Sequence, residues 1–182
     1  MNENSFQSLR NRTDAKLRYA RVHIDELSAS ESLNGDDFDR AHQESFLYHL
    51  LGAKDAFLLE LNAYYECGLS DKDLTAGKLR DALKTKGMSS NELTELYSLE
   101  KDNNSWLSQA KAMRDYSTHV TGVRRTFNLG GQTNGQIWLV DPNTGQSIER
   151  HFVDVFDEWA GKMQELLERS RQSAIARMRT GS

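Results

Sequence analysis

A permanent cation and a titratable imidazole stand five positions apart in Arg114-Asp115-Tyr116-Ser117-Thr118-His119. Together they carry the two functions that metal-free RNA cleavage requires. An imidazole can take the proton from a ribose 2′-hydroxyl or return one to the departing oxygen, and a guanidinium can clamp the crowded phosphate through parallel N–H donors. On a helix, five residues turn the two side chains ~140° apart. Both then lie on flanks of the polar face, and one helix does not aim them at a single phosphate. Two copies facing each other across a groove would, so a homodimer with a composite site is the expected state. Asp115, one turn before His119, is placed to orient the ring and to favour its protonated form. Lys111, Arg124 and Arg125 give the same region a basic surroundings with only Asp115 to oppose it, and are the candidate RNA-binding residues.

The spacing is not unique. Arg18 and His23 repeat it, with the same angular relation to Leu17, Ala20 and Ile24, in a chain of fourteen arginines and five histidines. Helical geometry alone does not separate the two pairs. The later pair is favoured by its polar neighbour Asp115 and by Arg124 and Arg125.

The tract Met113-Arg114-Asp115-Tyr116-Ser117-Thr118-His119 resembles the signature of HEPN domains, helical bundles whose late helix carries Arg, four to six residues, then His. Many such domains are dimeric, metal-independent ribonucleases of toxin–antitoxin, phage-defence or CRISPR systems, and others persist as binding or scaffolding modules. The resemblance implies catalytic roles for Arg114 and His119, the polar position for Asp115, RNA as substrate, no cofactor, and a cognate antitoxin or other protein as partner. In one branch a modified Tyr sits two residues after the His; here that position is Thr121, so regulation of that kind is not implied.

Two other readings stay open. One is a non-catalytic interaction or scaffold protein that uses a hairpin and a basic tail, Arg169, Arg171, Arg177 and Arg179, to hold a partner. The other is a metal-dependent bundle hydrolase. His42 and His49, seven apart, share one helix face, and His23 or His119 could approach from a neighbouring helix. No His pair four apart and no Glu-x-x-His occurs, so no metal site is assigned. The Gly130–Gly135 stretch lacks the lysine of a phosphate loop. Cys67 has no neighbouring base and reads as an inert thiol.

The elements that would position these residues are mainly α-helical. With 182 residues, 37% apolar and 27% charged, and a single proline, the chain fits one domain of long helices. Helices are expected over 5–30, 37–66, 71–86, 90–99, 105–127 and 153–178, with a turn at 32–36 and a β-hairpin at 136–152 around Asp141-Pro142-Asn143-Thr144-Gly145. Ser70 and Asp71 are read as capping the third helix, and Ser89 with Glu92 as a capping box for the fourth. Trp106, Trp138 and Trp159 read as packing residues. One cysteine excludes an internal disulfide and a multi-cysteine zinc site. No stretch approaches eighteen apolar residues, and the first residues show no apolar leader, so a cytoplasmic protein without membrane contact is expected. The net charge of −4 argues against a general polyanion binder, which leaves the local basic segments to do any such work.

Overall fold

Long stretches without proline or helix-breaking glycine let the chain run helices of 27 to 29 residues, each with an apolar stripe that only a neighbouring helix can cover. The structure, a computed structural model, describes residues 3–30, 37–119 and 122–180. Among them are α1 (Glu3–Ala29), α2 (Asp37–Tyr64), α3 (Ala76–Thr85), α4 (Asn91–Lys101), α5 (Trp106–His119) and α6 (Phe152–Thr180), with strands β1 (Arg125–Phe127), β2 (Ile137–Val140) and β3 (Ser147–His151) before α6. The expected turn at 32–36, Val120 and Thr121 lie outside the described residues, as do the side chains of Ile175, Arg177 and Arg179.

Helices α1 and α2 form an antiparallel pair along their whole length. Phe6 meets Tyr64 at one end, and His23 meets His42 at the other. Helix α6 lies along both: Phe46 of α2 stacks on Phe156 at 4.2 Å, and Arg21 of α1 pairs with Asp157. Ala20, Ile24 and Leu27 from α1, Phe46, Leu50, Phe57 and Leu61 from α2, and Phe156, Trp159, Met163 and Leu167 from α6 are buried between them. Asp37 and Asp39 occupy the first turn of α2, where the helix dipole favours negative charge.

Several boundaries differ from the sequence reading, each for a local reason. Helix α2 stops at Tyr64 rather than 66 because Glu66 takes a left-handed φ of 51°, which no right-handed helix continues. The side-chain amide of Asn62 then holds both the N–H and the carbonyl of Leu69. Ser70 and Asp71 do not cap α3. They belong to a single 3-10 turn, Asp71–Asp73, and the α3 cap is Thr75, whose hydroxyl accepts from the Lys78 N–H at 3.2 Å. The α4 cap is Ser90 rather than Ser89, accepting from the Leu93 N–H at 3.2 Å.

The largest correction concerns the helix expected over 105–127. It ends at His119, Gly122 sits at φ 89°, and Arg125–Phe127 turn into a strand. The expected hairpin is present as β2 and β3, but β1 adds a third strand in the antiparallel order β1-β2-β3. Asp141, only 1% exposed, organises the β2–β3 turn: its carboxylate accepts from the Asn143 N–H, the Thr144 hydroxyl and the Gln109 side-chain amide. The last of these ties the turn to α5. This small sheet therefore covers the start of α6, and its β2–β3 turn meets the first turns of α5 at Ser108 and Gln109.

Candidate functional site

Arg114 leaves α5 with its guanidinium turned onto its sequence neighbour. Nε and Nη2 both donate to one oxygen of Asp115, at 3.0 and 2.6 Å. The two side chains are 33% and 46% exposed. Asp115, expected to orient His119, is engaged with Arg114 instead. The hydroxyls of Ser117 and Thr118 both donate back to the Arg114 carbonyl, at 3.0 and 2.8 Å, which ties the polar residues of the motif to their own helix. His119 stands exposed in the last turn.

Arg124 reaches over the ring of Tyr116, the residue three before His119, 5.8 Å from its centre. Lys111 is exposed on α5. Arg125 is half-buried in β1, in register with Leu139. The neighbourhood is thus basic and open, and Arg114 and His119 are not brought onto a common point within one chain.

The second Arg-His pair has a different setting. Arg18 lines a groove of about 370 Å³ between α1 and α6, together with Arg10, Arg21 and Arg171. His23 points the other way, into the α1–α2 seam. There its Nδ1 lies 3.2 Å from Nδ1 of His42, one ring donating and the other accepting, and its ring stacks on His49 at 5.5 Å and 7°. The sequence had placed His42 and His49 on one face with His23 or His119 approaching; His23 is the one that does. Tyr19 and Tyr48 set their rings edge-on against His49, and Phe38 covers His42 at 4.2 Å. Burial lowers the pKa of His23, the nearby His42 adds to this, and Glu26 offsets part of it. His49 is lowered by burial, by the Lys16 charge and by His23. Parallel rings direct their nitrogens along separate lines, and among the described residues no three His, Cys, Asp or Glu side chains are grouped to hold a metal.

Of the expected basic tail, the two arginines with described side chains, Arg169 and Arg171, are both in ion pairs. Arg171 donates through Nε and Nη2 to the two oxygens of Glu60 and through Nη1 to Asp14 at 2.7 Å. Burial alone would depress its guanidinium, but these bonds and charges outweigh burial and raise it. Arg169 pairs with Glu95. No sequence signal marks the Glu60–Arg171 pair, whose members lie 111 residues apart. Burial pushes the Cys67 thiol up, with the Lys86 charge offsetting part of the effect, which keeps it protonated as an unreactive thiol would be.

No described helix is long and apolar enough to cross a membrane. A family of unknown function (DUF6586) matches the chain over residues 7–175. No curated protein and no solved structure matches it.

Proposed function

We propose that this chain, which belongs to that family of unknown function, is a helical protein-interaction module of the cytoplasm rather than an enzyme built on its Arg-His motif. The observation that carries this reading is the Arg114–Asp115 ion pair. A phosphate clamp needs its guanidinium donors free, and two of them are directed at a carboxylate with which a phosphate would have to compete. Among the described residues no carboxylate fixes the His119 ring in the way a general base is oriented. The exposed aromatic side chains of α1 and α2 supply, in turn, a surface suited to binding a protein.

A HEPN-like, metal-independent ribonuclease is the second reading. It is favoured by Arg124 over Tyr116, which sets a second cation against the helix that carries Arg114 and His119. In that case a dimer would assemble Arg114 and His119 across a groove, Asp115 would release Arg114 to RNA, Lys111, Arg124 and Arg125 would follow the phosphates, and a cognate antitoxin would be a natural partner.

Incubation of the purified chain with mixed RNA in EDTA separates the two. The expected result is no cleavage above that of His119→Ala. Cleavage that disappears in both Arg114→Ala and His119→Ala, and survives in Arg18→Ala, would overturn the module reading and establish the nuclease.

A further inference from the structure

Helices α1 and α2 each carry a second stripe of three-four spacing, on the side away from the core. On α1 it runs Arg12, Ala15, Tyr19, Val22, Glu26, Ala29; on α2 it runs Phe38, Ala41, Ser45, Tyr48, Gly52, Asp55, Leu59. A helix needs one such stripe to bury against its own domain, and a second is what helices use to meet a partner. Tyr19, Val22, Phe38 and Tyr48 are 50%, 52%, 45% and 60% exposed, so this side is open in the single chain. Between the aromatics sit small residues. At Gly52 even a Cβ would come within 3.3 Å of the Lys16 side chain, which crosses here to set its ammonium 4.7 Å from the Tyr48 ring centre.

We infer that this face binds a second copy of the chain, with α1 lying antiparallel on α1 and α2 on α2, so that four helices pack about a two-fold axis at the level of Tyr19 and Tyr48. The charges select this occupant and this direction. Arg12 and Glu26 lie seven residues before and after Tyr19, hence on the same stripe to within ~20° per heptad. Both are exposed, and no described residue forms a salt bridge with either. In an isologous antiparallel pair each Arg12 meets the Glu26 of the other copy, twice by symmetry. A parallel pair would set Arg12 on Arg12 and Glu26 on Glu26. On α2 the same axis brings Phe38 opposite Leu59, apolar on apolar. A face about 40 Å long and two helices wide offers on the order of 800 Å² per copy, the size of a standard stable interface.

This deepens the interaction-module reading and rests on it. It also differs from the dimer a nuclease would need, because Arg114 and His119 lie on α5, which contributes no residue to this α1–α2 face. The test is the mass of the full chain by sedimentation near neutral pH, with helicity checked in each variant. Wild type is expected at twice the chain mass, and Val22→Glu and Tyr48→Glu, both at exposed positions, at the mass of one chain. Arg12→Glu and Glu26→Arg should each weaken the dimer roughly tenfold or more by setting like charges together, and the double variant should recover it. A wild type that stays monomeric, a dimer indifferent to Val22→Glu and Tyr48→Glu, or one broken by His119→Ala instead would overturn the inference. Metal-free RNA cleavage that depends on Arg114 and His119 would overturn the module reading separately, whatever the mass.

Discussion

At Arg114 the guanidinium has two alternatives, a phosphate from outside or the carboxylate beside it, and in the free chain it takes the carboxylate. Such a pair, one-third to one-half exposed, contributes little to folding. Asp115→Ala is expected to change stability by less than about 1 kcal/mol in urea denaturation. Glu60 is the contrasting case. It is 2% exposed and holds Arg171 through two bonds, so Glu60→Ala leaves a half-buried guanidinium with Asp14 alone. That variant should lose about 3 kcal/mol in the same measurement. A loss below 1 kcal/mol would show that water or Asp14 replaces the missing carboxylate. The sequence displayed the Arg-His spacing twice, and it could not tell which partner each arginine prefers. Arg18 lines a groove, Arg114 turns to Asp115, and Arg171 reaches 111 residues back; none of these choices leaves a trace in local spacing.

Apolar periodicity makes an element easy to find and its end hard to place. The buried faces of α2 and α6 follow the three-four repeat through Phe46, Leu50 and Phe57 and through Phe156, Trp159 and Met163. The same repeat carried the expected fifth helix on to Phe127, eight residues too far. The missed signal was Gly122, followed by the β-branched Val123 and Thr126, which favour extended chain. The histidine seam was half legible: seven-residue spacing aligned His42 with His49, but the ring contacts with His23 depend on how α1 and α2 register. Those contacts have a consequence for pH. Burial lowers the pKa of His23, His49 and His151, so the folded chain takes up these protons at lower pH than the unfolded chain does. Stability should therefore be full above about pH 6.5 and fall as pH drops below it, because the unfolded chain then binds more protons. Urea midpoints at pH 7.5 and 5.5 measure the drop. His23→Gln should reduce it without abolishing it, since His49 and His151 remain, and an unchanged drop would exclude a role for His23.

On the scale of the whole molecule, a helical bundle with a small β element before its final helix was readable from one proline, few interior glycines and one Pro-Gly turn. The third strand and the second stripe of α1 and α2 were not, because exposure is a property of what the rest of the chain covers. Tyr19, Val22, Phe38 and Tyr48 look in the sequence like any other apolar residues; only the placement of α6 on the opposite side leaves them bare. The molecule thus offers two candidate working surfaces, the aromatic face of α1 and α2 and the basic end of α5 with β1. Hydrogen exchange of the chain at low and high concentration compares them in one measurement. Slower exchange at high concentration confined to segments 12–26 and 38–59 is the expected result. Protection gathered over 111–127 instead, with α1 and α2 unchanged, would contradict the interaction-module account and favour a dimer built around Arg114 and His119.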